Sequence, residues 1–278
     1  MSQLRKRFIR DLSIRNYSKR TIQSYVIAVK KLSLFYGRCP SEIQTEEIKE
    51  YLNHLQESGR SWSTVNVVMS ACNRLYQDTL CQPEKMQSIR RPKNALSLPV
   101  VFSEQEVANF LKSFRNIKHK AIFMTIYGGG LRCSEASKMK VRDIDSQRSR
   151  IIIRDGKGHK DREVILSYRL LKYLRYYAEN YRPQEYLFYG HDITKPISNN
   201  TIQKIFRKNL IRSGITKNAS THTLRHSFAT HLMNKGIDIR IIQQLLGHKS
   251  IKTTLKYCHL AKDRFGNTRS PLDDLSIW

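Results

Sequence analysis

His222 and Arg225 stand three residues apart in His222-Thr223-Leu224-Arg225-His226. On a helix they share one face and can grip a single anion. His226 lies one turn beyond His222, the spacing of a metal-binding helix, but no H-E-x-x-H motif or nearby cysteine pair completes such a site. An isolated H-x-x-R pair can equally serve as a cap or a core element. Arg132 follows Gly128-Gly129-Gly130 at the mouth of a helix, where its guanidinium can join backbone N–H groups around a phosphate or simply face solvent. Lys157 stands at the tip of Gly156-Lys157-Gly158, and Gly247-His248 has the form of a helix C-cap. Tyr257 is one of 14 tyrosines, and spacing alone does not single it out.

The elements that must position these side chains are mostly helices. Over the first 80 residues apolar positions recur at helical spacing. Ser18 and Ser61 have the form of N-caps, Thr45 caps a third helix, and Gly59 closes it. Four amphipathic helices with short loops make a small bundle. From Cys81 to Pro99 the texture changes to Pro83, Pro92 and Pro99 with the basic cluster Arg90, Arg91 and Lys93, which reads as a cationic linker. Ser103 and Glu106 then form a capping box, and a helix over about 116–127 runs into the glycines. Ile151–Ile153 and Val164–Leu166 flank a Gly-rich charged turn, Asp155 to Asp161, and read as a β-hairpin. Helices follow after Ser167, Ser198 and Thr221. The expected organisation is a helical domain over 1–90, a basic linker over 91–101, and a second domain over 102–278 whose tail begins near 260. The fold class is mainly α with a small antiparallel β-sheet.

Composition bounds the partner. The 278 residues hold 50 Lys+Arg against 23 Asp+Glu, a net charge of +27. Split at residue 90, the two parts carry +7 and +20, so both are basic. Such a surface repels itself and is tolerated where a polyanion is the partner, which points to nucleic acid. Mean hydropathy is −0.54 and no apolar run approaches the ~20 residues of a spanning helix, so no membrane role is expected. The basic opening has no apolar signal-peptide core, and the five scattered cysteines contain no C-x-x-C pair. A cytoplasmic location fits both.

Together the motifs carry more than each does alone. Gly-Leu-Arg-Cys-Ser-Glu at 130–135, Gly-Lys-Gly at 156–158, His-Thr-Leu-Arg-His at 222–226, Leu-Leu-Gly-His at 245–248 and Thr-Thr-Leu-Lys-Tyr-Cys-His at 253–259 occur in one order. That order resembles the tyrosine recombinases, most strongly their Xer-type and phage-integrase branch, and the likeness covers nearly the whole chain. It implies an N-terminal SAM-like core-binding bundle and an α+β catalytic domain. Position by position it implies Arg132, Lys157, His222, Arg225, His248 and the nucleophile Tyr257 as catalytic residues, with Glu135 supporting. Three glycines precede the arginine motif where one is usual.

The resemblance further implies metal-independent, cofactor-free cutting and rejoining of duplex DNA through a 3′-phosphotyrosyl link. His222 would be the general base, Lys157 the donor to the leaving 5′-hydroxyl, and the arginines the charge-neutralising groups. Lys19, Arg20, Arg90, Arg91, Lys93 and Lys160 are the candidate DNA contacts. Expected partners are duplex DNA with paired recombination sites, further copies in a tetrameric synapse, and a partner recombinase or DNA-bending protein. The expected role is integration and excision of a mobile element. Alternatives are Xer-like dimer resolution, DNA inversion, a type IB topoisomerase-like relaxer or a non-catalytic DNA-binding protein. The Ser-Pro-Leu-Asp stretch at 270–273 resembles integron-integrase tails, although the 64 residues between Lys157 and His222 leave little room for that group's extra helix.

Overall fold

The computed structural model describes residues 3–91, 98–154 and 161–258. The chain divides between residues 96 and 97 into two compact units. The tail expected from about 260 lies outside the described residues.

In the first unit, α1 (Gln3–Ile14), α2 (Lys19–Tyr36), α3 (Thr45–Glu57) and α4 (Trp62–Arg74) bury Leu12, Leu32, Ile48 and Cys72 in one core. Ser18 and Ser61 cap α2 and α4 by accepting from the N–H of Thr21 and Thr64. The cap of α3 is Gln44 rather than Thr45, because Glu47 reaches back to the Gln44 N–H and shifts the start by one residue. The end of α4 widens into a π-helical turn over Leu75–Thr79. That turn is held by Thr79 Oγ1 donating to Asp11 and by Tyr76 Oη donating to the Pro40 carbonyl. The proline-bearing stretch does not begin as a linker. Residues Glu84–Gln87 form the short helix α5, and Met86 is buried in the bundle core with Ile89 packed beside it. An apolar residue of that size is drawn into the core despite the prolines around it.

The second unit is built around α7 (Ile117–Gly128), which buries Ala121, Ile122, Phe123, Thr125 and Ile126. A helix apolar on so many sides has no solvent face to lose and takes the centre of a core. Against it pack α6 (Glu104–Lys112), α8 (Cys133–Lys138), α9 (Tyr168–Tyr181) and α11 (Thr221–Asn234). Phe110, Phe114, Phe123 and Phe206 form an aromatic cluster, the last from α10 (Asn199–Arg212). Ser103, Ser167 and Ser198 each cap the following helix. The cap of α11 is Ser220, one residue before the expected Thr221.

The hairpin gains an unforeseen third strand. β1 (Ile144–Asp145), β2 (Arg150–Ile153) and β3 (Arg162–Ile165) form an antiparallel meander in which Ile151 pairs with both Ile144 and Val164. Two residues are too short for alternation to register in a sequence. Ile151, Ile153 and Val164 face the core. Two further helices, α12 (Ile239–Leu246) and α13 (Ile251–Leu255), pack with α11 around a small apolar cluster of Phe228, Ala229, Ile242, Leu246 and Tyr257. Among the described residues no helix is long and apolar enough to cross a membrane.

Candidate active site

The glycine run is a backbone device. Gly130 has φ +61°, and a Cβ there would sit 2.4 Å from the Phe228 ring. That conformation and that lack of room both demand glycine. The turn places Arg132 immediately before α8, where its N–H donates to Glu135 Oε2 at 2.8 Å and its Nη1 to Oε1 at 2.7 Å. The side chain keeps 21% exposure, so its guanidinium is held from one side and open on the other.

Glu135 is the hub. Arg162 meets it in a fork, Nη1 to Oε1 at 2.9 Å and Nη2 to Oε2 at 2.7 Å, and Arg225 Nη1 lies 3.8 Å from Oε2. Burial alone would raise the carboxyl's pKa; the Arg162 fork and charge, then Arg132, override it and hold it at about 2. One buried carboxylate thus gathers three cations.

Arg225 is 3% exposed. It donates through Nη1 to the Gly130 carbonyl at 2.8 Å and through Nη2 to the Leu246 carbonyl. Burial, then the neighbouring Arg132, pulls its pKa down to about 10, so it remains a cation at neutral pH. Arg162 also donates through Nε to the Leu245 carbonyl at 2.9 Å. Its side chain passes so close to Gly247 that a Cβ there would meet Arg162 Cδ at 2.9 Å. The Leu-Leu-Gly-His turn is therefore both a helix C-cap, with Gly247 at φ +61°, and a platform of carbonyls for two arginines.

His248 leaves this turn with its Nδ1 2.9 Å from Thr254 Oγ1. Its ring stacks on Tyr257 at 6.3 Å between centroids and 14° between planes. Burial, followed by the charges of Arg225, Arg132 and Arg162, pushes its pKa down to about 4. Tyr257 is only 3% exposed. Burial raises its pKa, with Arg225 and Arg132 pulling the other way, so their fields reach the phenol. His222 keeps an open edge to solvent, yet desolvation and then Arg225 and Arg132 hold it below the usual histidine value.

The hydroxyl of Tyr257 does not meet His222. It lies 2.9 Å from Nδ1 of His226. Spacing had marked His226 only as a turn-mate of His222 and a metal option. Its shared face with His222 and Arg225 was the available signal. Among the described residues no three His, Cys, Asp or Glu side chains converge as metal ligands. Arg162 was missed altogether, since nothing local distinguishes it within so basic a chain.

The fold thus gathers Arg132, Glu135, Arg225, His248 and Tyr257, with His222 alongside. Lys157 and Lys160 lie outside the described residues, as does Lys93. Lys19 and Arg20 are exposed in the first turn of α2, and Arg90 and Arg91 are exposed beyond α5, Arg91 with Nη2 3.4 Å from Ser70 Oγ.

Comparison with known proteins gives the family. Residues 101–264 match the model of the phage integrase family, and residues 4–85 match the model of the phage integrase N-terminal SAM-like domain. The tyrosine recombinase XerA of Pyrococcus horikoshii is 33% identical over 260 residues, covering 92% of this chain and 88% of that one. The fold is similar to that of the XerH site-specific recombinase bound to palindromic difH substrate, with TM-score 0.77, 23% identity and coverage of 90% and 79% of the two chains. It is also similar to that of a lambda integrase tetramer bound to a Holliday junction, with TM-score 0.75, 18% identity and coverage of 91% and 76%.

Proposed function

Since the chain belongs to the phage integrase family of tyrosine recombinases, we propose that it cuts and rejoins duplex DNA at specific sites through a covalent 3′-phosphotyrosyl intermediate formed on Tyr257. The observation that carries this reading is the placement of a buried tyrosine against His248 and within the field of Arg132 and Arg225.

The scissile phosphodiester sits against the open side of Arg132 and beside Arg225. Their fixed charges, with His222 and His248, meet the negative charge that builds on the non-bridging oxygens. Tyr257 Oη forms a bond to phosphorus as the bond to the 5′-oxygen breaks. The phenol's proton leaves its resting partner His226 and passes to His222, one helical turn away on α11, and Lys157 supplies one to the departing 5′-oxygen. The ester keeps the bond energy, so attack by another strand's 5′-hydroxyl reverses the step and frees Tyr257. The arginines take the charge-neutralising part, and no metal ion is needed. Glu135 touches no substrate in this scheme; it aligns the guanidinium groups.

The SAM-like bundle contributes cations such as Lys19 and Arg20 to the DNA backbone, and the basic 91–101 stretch joins two DNA-binding domains. The working assembly is a tetramer on two paired sites, with a second recombinase or a DNA-bending protein as a further partner. Its cellular role is integration and excision of a mobile element, carried out in the cytoplasm.

The test begins with selection of bound fragments from a randomised duplex. The recovered sequence is built into a nicked suicide substrate and incubated with the protein in EDTA. A covalent protein–DNA adduct on a denaturing gel, lost in Tyr257→Phe, is the expected result. No adduct from wild type overturns the enzymatic reading, and an adduct that survives Tyr257→Phe overturns the choice of nucleophile. Strand exchange between two duplexes, rather than relaxation alone, separates a recombinase from a topoisomerase.

A further inference from the structure

The Tyr257 hydroxyl is buried, and its one hydrogen-bond partner among the described residues is His226 Nδ1 at 2.9 Å. We propose that His226 is the positioning residue of the nucleophile: its Nδ1 accepts the phenol's hydrogen bond and fixes where the attacking oxygen waits. The inference rests on the reading of Tyr257 as nucleophile given above.

Three observations carry it. First, the phenol is restrained in two independent ways. His248 stacks on the ring and sets its plane, while His226, with ring centroids 5.7 Å apart, holds the oxygen. Without His226 this buried O–H would have no partner among the described residues, and it would turn or drag the ring elsewhere. Second, His226 follows Arg225 directly on α11, and Arg225 is itself pinned to the carbonyls of Gly130 and Leu246. One rigid turn of helix therefore sets both the guanidinium that meets the phosphate and the acceptor that meets the nucleophile. Their separation cannot drift as it could between two loops.

Third, the pair is built to hold the proton, not to take it. Burial, then His222, Arg225 and Lys256, pushes the His226 pKa down to about 4, while burial raises that of Tyr257 above its usual 10. Full transfer of a proton from so weak an acid to so weak a base is disfavoured, so the phenol keeps its proton. His226 keeps the hydroxyl protonated and in place until phosphate arrives and the proton leaves toward His222.

The test uses His226→Leu, which removes the acceptor, and His226→Asn, whose Oδ1 can take the place of Nδ1. Both are first checked for a retained cooperative unfolding transition and for wild-type DNA affinity. On the nicked suicide duplex at saturation, His226→Leu should form adduct about tenfold more slowly, and His226→Asn should regain most of that rate. Imidazole ¹⁵N spectra of the DNA-free full chain should show His226 with a bare Nδ1 and a protonated Nε2 at neutral pH, a tautomer bias that weakens in Tyr257→Phe. Adduct formation by His226→Leu at the wild-type rate overturns the proposal. So does an Asn variant as slow as the Leu variant, which would assign the effect to packing. A His226 protonated at Nδ1 overturns it as well, and this reading needs no DNA. It therefore stands apart from failure of the wild type to form adduct, which would strike the enzymatic reading instead.

Discussion

The guanidinium of Arg162 closes a two-pronged ion pair on Glu135 while its Nε holds the Leu245 carbonyl, tying the start of β3, the first turn of α8 and the end of α12 together. Arg162 is thus a strut between a strand and two helices that carry other residues of the site.

Arg162→Ala should be among the most disruptive single changes in the second unit. It leaves a buried carboxylate facing fewer cations and strips a carbonyl of its donor. Breaking one side of a buried pair costs about 3–5 kcal/mol. Arg162→Lys keeps the charge but loses the fork and should recover less than half of that. Urea unfolding of the two variants against wild type measures both values.

Glu135 makes stability acid-sensitive. Its carboxyl is held at about 2 in the folded chain against 4.5 for a free glutamate side chain. Because the folded value is the lower one, the stabilisation is fully present above pH ~4.5 and fades as pH falls toward 2. The full amount is about 3 kcal/mol. The stability difference between wild type and Glu135→Gln should shrink over that window and stay flat from pH 5 to 7. A difference that persists undiminished at pH 2 would contradict it.

Gly130→Ala combines a left-handed backbone with a methyl group set 2.4 Å from the Phe228 ring. Strain of about 1 kcal/mol and overpacking of about 1–3 kcal/mol add. Gly214→Ala is the control, since φ is +70° there but nothing lies within 4 Å of the new methyl. Only the strain should appear in Gly214→Ala. Denaturant midpoints of both variants check the contrast.

Lys19 and Arg20 open α2, a helix with no acidic residue in its first turn. Two cations at that end oppose the helix dipole, so Lys19→Gln with Arg20→Gln should leave the bundle as stable or slightly more so. If both meet phosphates, the double variant should bind duplex DNA more weakly. The slope of log affinity against log salt should fall by about two. An unchanged slope would remove these residues from the interface.

What the sequence made legible depended on range. Ser18, Ser61, Ser103, Ser167 and Ser198 announced their helices because a cap is chemistry within three residues. The arginine and histidine motifs were readable as a set, although no single block was decisive. Arg162 was not legible, because its partners Glu135 and Leu245 lie 27 and 83 residues away and only folding joins them. Nor was the choice between His222 and His226, which share a helix face and differ by one turn. Carbonyl acceptors such as those of Gly130 and Leu246 belong to the main chain, so side-chain identity cannot advertise them.

The two carbonyls that pin Arg225 also impose an order in time. Synthesis proceeds from the N-terminus, so Gly130 leaves the ribosome long before Leu246, and Tyr257 follows later still. Until Leu246 has emerged and α12 has docked, Arg225 lacks one of its anchors and the phenol has no pocket to enter. The bundle core draws only on residues up to Ile89, all made before Leu246. The cluster around Tyr257 therefore comes into being only as a late act of folding.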